Sequence, residues 1–109
     1  MLMRVLLDEC VPHRLRRLLV GHQAISVEFV GWKGVRNGAL LALMAAHGFE
    51  ALLTVDRSLQ FQQNLPEAGV MAVVMVAASN SVRDLAPLMP KVLAALANLK
   101  PGEVVEVVA

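Results

Sequence analysis

The sequence predicts an α/β fold in which helices cover both faces of a mostly parallel sheet of about five strands, giving three α/β/α layers. Segments 2–7, 51–55 and 70–77 are almost entirely apolar, which is typical of strands buried on both faces. Segments with helical spacing separate them, and this alternation favours parallel strands joined by right-handed crossovers. The 109 residues are the size of one domain, taken as residues 1–109.

The individual elements follow from local signals. Strands are predicted over 2–7, 24–30, 51–55, 70–77 and 103–108, and a glycine-rich loop over 31–38, GWKGVRNG. Pro12 starts a first helix that Gly21 stops, Asn37 caps a helix over 39–46, and a short helix over 58–64 ends at Pro66. A long helix over 82–99 contains Pro87 and Pro90, which predict a kink or a true start near Leu88.

Composition excludes several classes of protein. No apolar run approaches the roughly 18 residues of a membrane span, and Asp8 and Glu9 interrupt the first apolar run too early for a signal peptide. The single cysteine, Cys10, excludes an internal disulfide and fits a reducing cytoplasm, where we expect the protein. The 57% hydrophobic content exceeds the usual share of about 45–50%, which indicates buried strands and a surface that binds a second copy.

The net charge of +1 identifies no partner, but its distribution is uneven. Seven of the ten basic residues lie in the first 57 positions: Arg4, Arg14, Arg16, Arg17, Lys33, Arg36 and Arg57. A basic rim around an acidic centre suits a nucleic acid. The alternative is that Arg14, Arg16 and Arg17 belong to ordinary solvated helix faces.

Asp8 and Asp56 are the principal candidates for chemistry, because each directly follows a predicted strand. If the two strands are parallel neighbours, both acids end at the sheet edge where open α/β sheets bind ligands. Two close carboxylates repel unless a proton or a cation lies between them, and Mg²⁺ or Mn²⁺ prefers oxygen ligands. Such an ion orients a phosphate and activates water. The alternative is that each acid caps the following helix.

Other residues complete the candidate site. Glu9 is a further metal-ligand candidate, although neighbouring strand residues point to opposite faces. Asn37 offers a neutral oxygen, or serves only as a helix cap. The candidate phosphate-binding residues are Lys33, Arg36 and Arg57. Trp32 would stack on a base, or pack over a sheet edge or a dimer contact. Cys10 lies near a helix start, which would lower its pKa, or is a small buried residue.

Three segments combine an opening strand with its acids, a glycine loop with a helix, and a strand with the second acid: LLDECVP at 6–12, GWKGVRNGALLALMA at 31–45 and LLTVDRSL at 52–59. Together they resemble the small PIN-like domains, relatives of the PIN ribonucleases that act as toxins in bacterial toxin–antitoxin pairs. The resemblance extends to about the fourth strand. It implies a PIN-like fold, dimerisation, and cleavage of single-stranded RNA with Mg²⁺ or Mn²⁺. By this resemblance Asp8 and Asp56 bind the metal, and an antitoxin protein is a partner.

Two alternatives remain open. Asn37 and Ser58 stand where the family usually places further acids, which favours a degenerate PIN-like module that binds RNA or a protein without cutting. A phosphoacceptor domain of the response-regulator type also has acids after its first and third strands, as Asp8, Glu9 and Asp56 would be. That type needs a lysine after the fifth strand, whereas Lys100 precedes it.

Overall fold

The computed structural model describes residues 3–58 and 65–109, without the side chains of Asn37 and Leu65. Five strands form one sheet: β1 (Arg4–Leu7), β2 (Gln23–Ser26), β3 (Ala51–Thr54), β4 (Met71–Val76) and β5 (Val104–Val108). Their order is β2-β1-β3-β4-β5, and every pairing is parallel. The predicted α/β class, with about five parallel strands between helical layers, is therefore confirmed.

Helices occupy both faces of this sheet. The α-helices are α1 (Asn37–Ala46), α2 (Leu65–Ala68), α3 (Val82–Leu85) and α4 (Met89–Asn98), and 3₁₀ helices cover His13–Leu18 and Ala86–Leu88. Leu40, Leu41 and Met44 bury one face of α1 against the sheet. Met89, Val92 and Leu96 of α4 pack on the opposite face at spacings of three and four, as an amphipathic helix requires.

Alternation along the central strands divides the core into two clusters. Val5 and Leu7 of β1 contact the cluster beneath the 3₁₀ helix His13–Leu18 and α4, whereas Leu6 contacts the cluster beneath α1. Both kinds of position are buried, so the runs Val5–Leu7 of β1 and Ala51–Leu53 of β3 are apolar on both faces. Since the side chains of a strand alternate, the residues that continue the Leu6 series, Asp8 among them, point toward the α1 side.

Several predicted boundaries were wrong. The first helix is a 3₁₀ helix over His13–Leu18, with Pro12 at its N-cap, and β2 ends at Ser26 because a turn follows it. Helix α1 begins at Asn37 itself, so Arg36 occupies the N-cap position. Pro66 lies inside α2, where the first turn of a helix tolerates proline. Most of the helix predicted over 58–64 lies outside the described residues.

In the C-terminal third, the helices begin and divide at the positions that its prolines and serines predict. The predicted long helix is divided into α3, the 3₁₀ turn Ala86–Leu88 and α4, with Pro90 in the first turn of α4. Ser81 caps α3 by accepting a hydrogen bond from the Asp84 amide at 3.3 Å. Within residues 3–58 and 65–109, no helix has the length and apolar character needed to cross a membrane.

The strand order places β1 beside β3 at the centre of the sheet. Leu7 pairs with Leu53, and the Asp8 amide continues the ladder by donating to Leu53 O at 3.0 Å. The chain winds from β1 to β2 on one side and to β3, β4 and β5 on the other. Such a change of direction opens a crevice at the carboxyl ends of the two central strands. Asp8 and Asp56 follow these two strands.

We expect Leu53→Ala to lower the free energy of unfolding by about 2–5 kcal/mol, because Leu53 is buried in a central strand and its truncation leaves a cavity. Urea denaturation followed by circular dichroism measures the change. Leu18→Ala is the matched control, since Leu18 is 41% exposed, and should cost less than about 1 kcal/mol. Equal losses in both variants would contradict the central position of β3.

Candidate functional site

A cleft of about 530 Å³ opens at the carboxyl ends of β1 and β3. Its lining combines acidic, basic and apolar residues: Asp8, Glu9, Cys10, Val35, Arg36, Leu40, Leu41, Leu52, Val55, Asp56 and Ser58. Asp8 and Asp56 therefore line one cavity, as expected from two acids that follow neighbouring parallel strands. Helix α1 forms one wall through Leu40 and Leu41.

Thr54 connects the two acids. Its hydroxyl donates to Asp8 Oδ2 at 2.7 Å and accepts from the Asp56 amide at 3.0 Å. The side chain has no solvent exposure, and it is the one fully buried polar residue in the described part of the chain. A hydroxyl has one proton and two acceptor positions, so Thr54 fixes the position of the Asp8 carboxylate relative to the Asp56 backbone.

The two carboxylates differ in what holds them. Asp8 Oδ1 accepts from the Glu9 amide at 2.9 Å, while Oδ2 accepts from Thr54. The 3₁₀ helix after β1 begins at His13 with Pro12 at its N-cap, so Asp8 is not its cap. Asp56 Oδ1 accepts from both the amide and the hydroxyl of Ser58, at 3.0 and 2.7 Å. This local pattern is typical of a capping aspartate.

The two oxygens of the Asp56 carboxylate have different surroundings. Among the described residues, no hydrogen-bond donor reaches Asp56 Oδ2, although Oδ1 accepts two bonds. Asp56 is exposed and lines the cleft. The capping alternative therefore accounts for one oxygen of Asp56 and, within residues 3–58 and 65–109, leaves the other unassigned.

Glu9 and Arg36 form the charged rim of the cleft. Arg36 Nη2 lies 4.0 Å from Glu9 Oε1, and the Arg36 side chain is 77% exposed. The contact is long and solvated, so it holds neither group firmly. The Arg36 guanidinium is therefore largely exposed to solvent at the rim of the cleft.

Asn37 and Lys33 are less closely associated with the cleft than Glu9 and Arg36 are. Asn37 is the first residue of α1, directly after Arg36 at the mouth of the cleft, and its side chain lies outside what the structure describes. Lys33 is exposed in the loop before α1 and does not line the cleft. The proposed roles of both residues stay predictions.

Trp32 is packed against its own fold. Its ring meets His47 and Phe49 edge-on, with centroid distances of 5.1 and 5.7 Å, and it joins the cluster beneath α1. Such contacts stabilise the loop that carries Lys33 and Arg36. Of the alternatives that the sequence left open for Trp32, packing is the one that the structure displays.

Arg57 is directed away from the cleft. Its Nε and Nη2 donate to the Glu106 carboxylate of β5 at 2.9 and 3.4 Å. Hydrogen bonding to Glu106, and then its charge, raises the pKa of this guanidinium. Arg57 borders a smaller hollow of about 230 Å³ beside the ends of β3 and β4. A nucleic acid would have to displace Glu106 to use Arg57.

Cys10 lies at the inner end of the cleft, with its Sγ 3.9 Å from Thr54 Oγ1. Burial, and then the negative charge of Asp8, raises the pKa of this thiol, although hydrogen bonds to Val55 and Thr54 act in the opposite direction. The lowering expected of a helix start does not occur. Cys10 is a half-buried, protonated side chain that completes the environment of Thr54.

The residues that a metal ion would meet in the cleft are carboxylates. In the part of the chain that the structure describes, no group of three or more His, Cys, Asp or Glu side chains is arranged to hold an ion. Mg²⁺, however, keeps several waters and is commonly bound through one or two carboxylates together with substrate phosphates. Asp8 and Asp56 supply the cleft with two carboxylates, which is the number of protein ligands that this mode of binding uses.

The sequence did not identify Thr54 as a site residue. Threonine at the end of a strand is ordinary, since β-branched residues favour strands. One signal was present: Thr54 is the single polar residue in the otherwise apolar strand predicted over 51–55. A polar residue in a strand buried on both faces must find a hydrogen-bond partner, and the nearest are the acids that follow β1 and β3.

Comparisons with known proteins add no relative. No family model matches the chain, and neither the curated proteins nor the solved structures include a match.

We expect Thr54→Val to lower the free energy of unfolding by about 1–3 kcal/mol at neutral pH, because Asp8 and the Asp56 amide each lose a buried partner. Thr54→Ser keeps the hydroxyl and should cost about 1 kcal/mol for the lost methyl group. Urea denaturation of both variants measures the difference.

A double-mutant cycle with Asp8→Asn separates the hydrogen bond from packing. Thr54 and Asp8 should couple by about 1 kcal/mol or more, because they share a hydrogen bond to a charged group. Strictly additive effects of Thr54→Val and Asp8→Asn would contradict the connecting role assigned to Thr54.

Proposed function

We propose that this chain is a Mg²⁺- or Mn²⁺-dependent endoribonuclease of the PIN-like type, acting as the toxin of a toxin–antitoxin pair. The observation that carries the proposal is that Asp8 and Asp56 line one open cleft and are connected through Thr54. The class of substrate comes from the resemblance of three segments to PIN-like domains. A homodimer and an antitoxin partner belong to the same proposal.

The acids of the cleft would hold the ion, and neighbouring residues would position or supplement them. Asp8 and Asp56 bind the ion, and Thr54 holds Asp8 in position so that little reorganisation is needed when the ion arrives. Glu9, which lines the cleft, and Asn37, which follows Arg36 at its mouth, add oxygen ligands. The ion supplies charge stabilisation at the phosphate and a more acidic bound water.

The basic residues of the rim bind the strand. Arg36 lines the cleft and is mostly exposed, so its guanidinium can make paired hydrogen bonds to a phosphate. Lys33 adds a second positive charge from the same loop. Arg57 contributes once Glu106 releases it, and Trp32 acts by supporting this loop or by offering an edge to a base.

A degenerate PIN-like module is the second candidate. Two observations favour it: Ser58 occupies one oxygen of Asp56, and the described residues provide no third clustered carboxylate. In this case the cleft binds RNA or a protein partner through its rim, and neither chelation nor Asp8→Asn should reduce that binding.

A phosphoacceptor domain is the third candidate, and the strand order favours it. The order β2-β1-β3-β4-β5 is the doubly wound order of the response-regulator type, with Asp56 after β3 in the acceptor position. Incubation with a small phosphodonor, followed by intact mass measurement, tests it directly. Addition of one phosphoryl group in the wild type but not in Asp56→Asn would support this candidate.

We expect Mn²⁺ to bind with one-site stoichiometry in calorimetric titration, and Asp8→Asn and Asp56→Asn to weaken binding at least about tenfold, because each removes a carboxylate charge. The same variants should lose cleavage of single-stranded RNA. Glu67→Gln, an exposed acid of α2 outside the cleft, is the matched control and should retain both properties. Equal RNA cleavage by the wild type and by Asp56→Asn would contradict the nuclease proposal, and so would the absence of cleavage in both proteins.

The two arginines should differ in RNA binding. Arg36→Ala should reduce affinity and lower the salt dependence by about one phosphate contact, because Arg36 has only a weak solvated partner. Arg57→Ala should have a smaller effect, since Glu106 already holds its guanidinium. Fluorescence anisotropy of a labelled oligonucleotide at several salt concentrations measures both. A larger loss in Arg57→Ala would exclude Arg36 as the main phosphate contact.

A further inference from the structure

The outer side of β2 carries main-chain hydrogen-bonding groups that the sheet does not use. β2 is an end strand, and the amides of Gln23 and Val27 donate inward, to Met3 O and Leu7 O at 2.8 and 2.9 Å. Because alternate residues of a parallel strand direct these groups to opposite sides, the amides of Ala24 and Ser26 and the carbonyl of Ala24 point away from β1. No strand among the described residues pairs with them.

A hollow of about 230 Å³ lies along this edge. It is lined by His13, Arg16, Ala24, Ile25, Ser26 and Phe29. The strand therefore forms the floor, the 3₁₀ helix His13–Leu18 forms a basic wall, and Phe29 forms an apolar wall. Phe29 is 82% exposed, and its amide donates to Ser26 Oγ at 3.1 Å, which ties its turn to the strand.

The basic wall has unusual charge density. His13, Arg14, Arg16 and Arg17 all fall within one six-residue 3₁₀ helix, and all are exposed. The ion pairs found among residues 3–58 and 65–109 involve Arg36 and Arg57, so none of these four side chains has a carboxylate within reach. Glu28, in the turn that carries Phe29, is the acidic group on this side. The edge is therefore positive overall.

We propose that the β2 edge binds an extended acidic segment of a partner protein as a sixth strand. An added strand supplies both the carbonyls that the outward amides need and an amide for the Ala24 carbonyl. Its acidic side chains would meet His13 and Arg16 on the face covered by the 3₁₀ helix. The alternate side chains, which point to the other face of the sheet, would be apolar and would pack beside Ile25.

Other occupants match the edge less well. A second copy that paired β2 with β2 would bring two clusters of four basic residues together, and like charges across an interface are costly. A nucleic acid would satisfy the charge through phosphates that only accept hydrogen bonds, so the Ala24 carbonyl would need a separate donor, a 2′-hydroxyl or a base N–H, whereas an added strand places its amides at the spacing of β2. Strand addition at the β2 edge does not involve the carboxylate cleft. Failure of peptide binding would therefore leave the nuclease proposal intact, and loss of the nuclease proposal would leave this one intact.

The test uses the full chain and a fluorescein-labelled eight-residue peptide in which valine and glutamate alternate. We expect saturable binding by anisotropy and at least about fivefold weaker binding to Arg16→Glu. Arg14→Glu is the matched control, because Arg14 belongs to the same helix but does not line the hollow, and should change affinity less than about twofold. A peptide with lysine in place of glutamate should not bind.

Two further measurements distinguish strand pairing from charge attraction. Hydrogen exchange at the Ala24 and Ser26 amides should slow when the peptide is bound, and a peptide with N-methylated alternate amides should lose binding while the protein remains unchanged. No binding at millimolar peptide, or binding unaffected by both Arg16→Glu and N-methylation, would overturn the proposal. Displacement of the peptide by single-stranded RNA that protects neither amide would assign the edge to nucleic acid instead.

Discussion

The parallel pairing of β1 with β3 is the contact on which the rest of the molecule depends. It aligns Leu7 with Leu53, and the next rung, from the Asp8 amide to Leu53 O, carries the ladder past the last residue of β1. That rung brings Asp8 opposite Thr54, whose hydroxyl then connects Asp8 to Asp56. A shift of the register by one residue would turn Asp8 to the other face of the sheet and leave the buried Thr54 hydroxyl without a carboxylate.

Much of the fold could be predicted because the central strands are simple. Residues such as Leu52 and Leu53 are buried on opposite faces, so the run is apolar without a period, and the acids that follow mark its end. The surface elements were harder. The 3₁₀ geometry after Pro12 and the early end of β2 depend on how Leu15 and Val27 reach the core, which is a tertiary constraint. The position of Pro66 inside α2 was likewise not evident from proline chemistry alone.

The candidate site was predictable only where backbone topology determines it. Asp8 and Asp56 were identified because the carboxyl ends of neighbouring parallel strands share an edge. Side-chain partners depend on distances that the sequence does not contain. Arg57 pairs with Glu106 because β5 lies across β4 from β3, and Thr54 matters because of where Asp8 lies. In both pairs the two residues are 46 or more positions apart in the sequence, so no local motif could reveal the contact.

The absence of hairpins among the described strands has a consequence for biosynthesis. Each parallel pair needs a crossover, so β1 must wait for β3, more than 40 residues later, before its inner neighbour exists. During translation the first half of the chain therefore emerges with the β1 acid unpartnered and its apolar residues uncovered. The cleft comes into being only after the third strand has left the ribosome, so a truncated product that ends before Ala51 carries one half of the acid pair and no cavity to hold a ligand.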